Sequence, residues 1–273
     1  MSHHTVGEFP LKISVMSMGF ERAVADGRLT HEDVIRCCKE GGADGLEPST
    51  IFLAGVTEKV KELLEKHDLS VPCFDVHVRL TDPDAAIRSK AASELVALAR
   101  LAKDFGANGL MIVPGSLEDG ITFDQALPWV AAGIREALPE ATALGITLMV
   151  EQMGYASAFC QRPEHLRALI DAVGMPEFSL CWDGGNFTIT RQDALAALPE
   201  FLPRIRHTHF KDGVRGDAGW KTVILGDGVV PLREMFGILK DSGYAGYVSV
   251  EHDGSGDAWE EAQRGIAYVR SLM

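Results

Sequence analysis

Four short runs of the chain each carry, at or near their end, a side chain that can bind a divalent cation or move a proton. Residues 147–151 end on Glu151, 178–183 on Asp183 and 246–251 on Glu251, while 204–210 carry His209. Three carboxylates and one imidazole form a hard, oxygen-rich donor set, suited to one divalent ion such as Mn2+, Mg2+, Co2+ or Zn2+ and ill suited to Cu(I) or an iron–sulfur cluster. Any one of the four taken alone reads as a polar strand end that holds a loop. Taken together on four strands they read as one metal site, because a buried carboxylate is costly unless it is paired or bound to a cation.

The chemistry follows from that set. A cation that chelates a sugar carbonyl and the neighbouring hydroxyl makes the adjacent C–H more acidic and stabilises an enediolate. Glu151 and Glu251, on opposite sides, form an acid/base pair that removes the proton and returns it. Return to the other face of the same carbon is epimerisation, return to the neighbouring carbon is isomerisation, and loss of a β-hydroxyl is dehydration. The metal set does not choose among the three. The choice falls to groups that hold or protonate oxygens, and Glu47 and Lys211 are placed among these: Glu47 closes a short strand, and Lys211 follows His209 closely enough to meet a substrate oxygen or carboxylate. Asp75 and His77 lie near the end of the third strand.

Such distant residues meet only if the elements carrying them end on one face. Strands are expected over 12–17, 45–48, 71–80, 109–113, 145–151, 178–183, 204–210 and 246–251, each a short apolar run. Helices are expected over 30–41, 57–67, 84–105, 163–173, 192–202, 231–242 and from about 257 to the end. A further helical region over 122–144 is expected to break at Pro128 and Pro139. Eight strand–helix units in 273 residues predict an α/β fold of the (β/α)8 TIM-barrel type spanning 1–273 as a single domain. A doubly wound open sheet fits less well, because no G-x-G-x-x-G opens a helix after the first strand.

Composition sets the remaining bounds. Hydrophobic residues make up 46% and charged residues 24% of the chain, and no run approaches the length of a membrane span. Residues 1–10 show no basic stretch followed by an apolar one, so a cytoplasmic location is expected, with no membrane partner. Five cysteines without a C-x-x-C pair suit reduced thiols, and Cys181 is expected to face the barrel interior with Trp182 pointing outward into the helix layer. A net charge of −13 argues against a nucleic-acid partner. Phe20, Phe52 and Trp220 lie in loops where an aromatic could cover a sugar ring or, equally, pack the loop itself. Gly226-Asp227-Gly228 reads as a turn before Pro231, with Asp227 within reach of the site.

The motifs together carry a resemblance. Glu151, Asp183-Gly-Gly-Asn186, His207-x-His209-x-Lys211-Asp212 followed by Arg215, and Glu251 resemble the xylose isomerase-like sugar phosphate isomerase/epimerase superfamily over nearly the whole chain. That superfamily includes D-tagatose 3-epimerase-type ketose epimerases, hydroxypyruvate isomerase, inosose and 3-dehydroshikimate dehydratases and endonuclease IV. The resemblance implies that Glu151, Asp183, His209 and Glu251 hold the metal and that Arg215 contacts a substrate oxygen. It implies that His77 faces the substrate, and that Asn186 stands where the epimerases usually carry a substrate-contacting His. It implies a metal-dependent isomerase or epimerase of a keto-sugar or polyol, with a dehydratase as the alternative and a homodimer or homotetramer as the assembly. An endonuclease IV-like nuclease needs more His ligands and a basic surface, and a non-catalytic sugar-binding module would not need both Glu151 and Glu251.

Overall fold

The computed structural model describes residues 11–118, 120–217 and 219–273. Residues 1–10, on which the expectation about export rests, lie outside them. The strands are β1 (Lys12–Met16), β2 (Gly45–Glu47), β3 (Cys73–His77), β4 (Gly109–Val113), β5 (Thr147–Glu151), β6 (Ser179–Asp183), β7 (Ile205–Phe210), β8 (Asp212–Gly216), β9 (Gly219–Val223) and β10 (Tyr247–Val250). Eight of them form one parallel sheet in the order β2-β1-β10-β7-β6-β5-β4-β3. The two ends of this row meet through the bridges Gly45–Ser70 and Ser49–Asp75, so the sheet nearly closes into a single-domain (β/α)8 barrel. Among the described residues no helix is long and apolar enough to cross a membrane.

The strands are short and buried on both faces, which is why they read as apolar runs rather than as alternating ones. Their alternation still sorts the side chains. Leu148, Val150, Leu180, Trp182, Phe210, Val248 and Val250 join the core shared with the helix layer. Trp182 lies 4.4 Å from Phe187 in a stacked contact, as its outward position predicts. The inward set forms two layers. Met149, Cys181, His207 and Ser249 lie below, and Glu151, Asp183, His209 and Glu251 lie above at the strand ends. The pairings Glu151–Cys181, Asp183–His209 and Ser249–His209 show that the upper set climbs one inward position from β5 to β6 and again from β7 to β10.

Several expectations are corrected. The helix Phe123–Leu144 runs unbroken through Pro128 and Pro139. Its capping box at Thr122 and its buried face of Val130, Ile134, Leu138 and Ala141 hold it against the cost of about 3 kcal/mol that an interior proline carries. Phe20 and Phe52 are buried, Phe20 against His252 and Phe52 against His31, so neither covers the mouth. Asp227 pairs with Arg264 at 2.9 Å on the surface instead of reaching inward. The segment after His209 is a β8–β9 antiparallel hairpin, which no apolar periodicity announced.

Asp212 anchors that hairpin. Its buried carboxylate accepts from the backbone N–H groups of Gly213, Gly226, Gly228 and Val230 at 2.8, 2.9, 3.0 and 3.1 Å. Gly228 is required here, because a Cβ on it would collide with the same carboxylate. Asp212→Ala should therefore lower unfolding stability by about 3 kcal/mol or more, since four partly or fully buried donors lose one charged acceptor. Urea denaturation measures this, and an unchanged midpoint would show that the hairpin is held in some other way.

Candidate metal centre and active site

The upper layer brings Glu151, Asp183 and Glu251 together, with ligand oxygens from all three within 4.8 Å of one another. His209 joins them, its Nδ1 2.8 Å from Glu151 Oε1 and 3.7 Å from Glu251 Oε2. All four side chains are buried. Local geometry places each one. Asp183 ends β6 and caps the helix Gly184–Ile189, its Oδ1 accepting from Gly185 N at 2.6 Å and Asn186 N at 3.3 Å. Gly185 permits that approach, since a Cβ would lie 2.8 Å from the Lys211 carbonyl. With Oδ1 so used, Asp183 Oδ2 is left buried without a hydrogen-bond partner, and so is Glu251 Oε2.

Those two orphaned oxygens, beside Glu151 and the Nδ1 of His209, fit a divalent cation. A buried acceptor without a donor is costly, and several around one point call for positive charge. The residues present thus match the ion that the donor chemistry implies.

Lys211 supplies part of that charge. Its Nζ lies 2.5 Å from Glu251 Oε1, 3.3 Å from Asp183 Oδ2 and 3.1 Å from Asn186 Oδ1. Burial opposes its charge, yet Glu251, Asp183 and Glu151 outweigh burial and push its pKa up. Burial pushes the Asp183 carboxyl up to about 8 and raises Glu151 as well. For His209 burial again opposes charge, and the carboxylates on either side of the ring prevail, so its pKa rises.

Glu47 does not face the mouth, where a substrate contact was expected. It is fully buried behind His209, with Oε1 3.1 Å from His209 Nε2 and Oε2 2.8 Å from His207 Nε2. Burial raises its pKa, but the two imidazoles overcome that and leave it well below the usual carboxylate range. A carboxylate behind a histidine fixes the tautomer and the ring plane of that histidine, so Glu47 aims Nδ1 at the other three carboxylates. The sequence carried the signal in His207-x-His209, two inward positions on one strand.

The remaining expected residues divide between the cluster and its rim. Asn186 is buried beside Lys211, with its Nδ2 unpartnered. His77 stands at the mouth, its side chain 52% exposed and its Nε2 3.6 Å from Asp75 Oδ1. The structure does not bring Arg215 into the cluster: it is exposed, and its Nη2 donates to the Ile189 carbonyl at 2.8 Å. Tyr155, 39% exposed, was not singled out by sequence. Burial raises its phenol pKa against the lowering effect of a hydrogen bond with Ser116, and the charges of Glu151 and Asp75 add to the rise. Cys181 lies below, its Sγ 3.9 Å from Glu151 Oε1, and all five cysteines are free.

The chain belongs to the xylose isomerase-like TIM barrel family, whose model matches residues 35–272. It is 26% identical over 187 residues to the putative L-ribulose-5-phosphate 3-epimerase UlaE of Shigella dysenteriae, covering 66% of this chain and 62% of that protein. It is 28% identical over 109 residues to an inosose dehydratase of Clostridium perfringens, covering 33% and 36%. The chain therefore matches less than two thirds of the length of either relative. Its fold is shared with the IOLI protein, whose crystal structure holds a zinc atom, at a TM-score of 0.80, with 17% identity over 96% of this chain and 98% of that one.

Two outcomes follow. Glu47→Gln should weaken divalent-cation binding by about 10- to 100-fold while the fold survives, as loss of an orienting carboxylate does elsewhere. Calorimetric titration with Mn2+ or Zn2+ tests this, and an unchanged affinity would remove the orienting role. The second concerns pH. Asp183 keeps its proton in the folded, cation-free protein up to about pH 8, whereas an unfolded Asp releases it near pH 4. Its contribution to stability is therefore full below about pH 4 and is lost as pH rises towards 8. Cation binding should displace that proton, so affinity should rise between pH 6 and 8, with proton uptake by buffer seen when titrations in two buffers are compared.

Proposed function

We propose that the protein is a divalent-metal-dependent isomerase or epimerase of a keto-sugar or related polyol, with Glu151 and Glu251 as the acid/base pair. The observation that carries this reading is the meeting of Glu151, Asp183, Glu251 and His209 around one point, with two carboxylate oxygens left unpartnered there. Membership of the xylose isomerase-like family and the likeness to a putative ketose-phosphate epimerase support it.

Glu151, Asp183, His209 and Glu251 would hold the cation, which when bound supplies electrophilic polarisation of a substrate carbonyl. The chain's own groups do the rest. Glu151 and Glu251 reach the same space from β5 and from the end of β10, so one can take a proton from carbon while the other returns it. Lys211 holds Glu251 through Oε1 and so leaves Oε2 directed inward. Asn186 Nδ2 is a free buried donor for a substrate oxygen. Burial of the cluster excludes water, which strengthens each of these contacts.

A dehydratase is the second reading, favoured by two observations. Lys211 places an ammonium inside the cluster, able to protonate a departing hydroxyl, and an inosose dehydratase is among the chain's relatives.

Proton NMR of the Mn2+-loaded protein in D2O separates the two, with a panel of free ketoses, inososes and 3-dehydroshikimate. Deuterium entering a carbon next to the carbonyl, in a product of unchanged formula, is the expected result, and loss of water would transfer the protein to the dehydratase reading. Glu151→Gln and Glu251→Gln should each lower kcat by about 10²- to 10⁴-fold with the fold intact. Full activity in either variant would sink the two-carboxylate mechanism.

A further inference from the structure

Across the barrel from Lys211 lies a carboxylate that the metal cluster does not use. Asp75, on β3, is buried, and its Oδ1 has no hydrogen-bond partner. β3 stands four strands round the sheet from β7, which carries Lys211 at its end. Asp75 is one of the inward-facing residues Cys73, Asp75 and His77, above the interior layer to which Cys73 belongs. Ser49 lies beside it through the Ser49–Asp75 bridge, and the Ser49 hydroxyl is taken by Glu21. His77 Nε2, at 3.6 Å, is too far to satisfy the oxygen.

We propose that Asp75, flanked by Glu21 and His77, forms a hydroxyl-recognising station that selects an uncharged sugar and rejects anionic ones; this rests on the sugar chemistry proposed above. A buried carboxylate oxygen without a donor is satisfied by a substrate O–H and repelled by a phosphate or carboxylate. The surrounding charges agree. Residues 48–56, 114–118 and 251–257, which follow β2, β4 and β10 at this face, contain no Lys or Arg, while the last two stretches contain Glu118, Glu251, Asp253 and Asp257. Lys211 is already engaged by Glu251 and Asp183, and Arg215 by the Ile189 carbonyl. Arg79, two residues beyond His77, is paired with Asp82.

The test is calorimetric titration of the cation-loaded full chain with D-fructose, L-ribulose and their terminal phosphate esters, beside turnover kinetics, in the wild type and in Asp75→Asn. The free ketoses should bind about 10-fold or more tightly than their esters, and Asp75→Asn should weaken ketose binding by about 10-fold or more. It should also raise KM more than it lowers kcat, and narrow the preference for the free sugar. Should Asp75→Asn fail to fold, Glu21→Gln removes the flanking charge, and the same narrowing is expected.

Tighter binding of the esters by the wild type, or ketose affinity unchanged in the variant, overturns the station. The two proposals fail separately. Asp75-dependent ketose binding with no exchange in D2O leaves the station standing and removes the reaction, whereas exchange that ignores Asp75 does the reverse. No binding of either class overturns both.

Discussion

The structure depends on one electrostatic constraint: Glu47, Glu151, Asp183 and Glu251 are all buried at one end of a barrel only eight short strands round. Four carboxylates at this spacing in a water-poor interior cannot all carry charge unless positive charge lies among them. The chain meets the constraint in depth order. Deepest, Glu47 is held between His207 and His209. Above it, His209 faces Glu151 and Glu251. Lys211 reaches across Glu251 and Asp183. Even so, Asp183 Oδ2, 3.3 Å from the Lys211 ammonium, and Glu251 Oε2 accept no hydrogen bond. A site for a cation is thus the remainder of a charge balance that the barrel otherwise completes.

Much of this was legible in the sequence, for a definable reason. In a parallel barrel each strand is a short apolar run, so a carboxylate or histidine at its end stands out against its neighbours, as Glu151, Asp183 and Glu251 do. Residues whose role depends on partners far away along the chain were less legible. Glu47 also ends a strand, but its engagement by residues 160 and 162 positions away made it an orienting group and not a contact at the mouth. Arg215 shows the opposite limit: its spacing from His209 suggested a substrate contact, but on the β8–β9 hairpin it donates to the Ile189 carbonyl. Tyr155 has no pattern at all, since a single aromatic in a loop looks the same whether or not the loop covers a site.

The fold itself was legible at the level of units and less so at their junctions. The eight barrel strands were found because each is a short apolar run followed by a helical segment. The short helices Met18–Ala25, Thr50–Leu53 and Gly184–Ile189 were missed, being too brief to show a period. Pro128 and Pro139 misled because local propensity was read without the packing that overrides it: the helix that contains them buries one whole face.

The sheet has a seam. Among the described residues every neighbouring pair of barrel strands is laddered except β2 and β3, whose edges meet at the isolated bridges Gly45–Ser70 and Ser49–Asp75. A joint held by so few bonds yields at lower cost than any other place round the ring. Glu47 stands on one lip of that joint and Asp75 on the other. Strain arriving there pulls the backing of the imidazole away from the far wall of the mouth, so the elasticity of the ring and the grip of the site are one mechanical property, set where the hoop is thinnest.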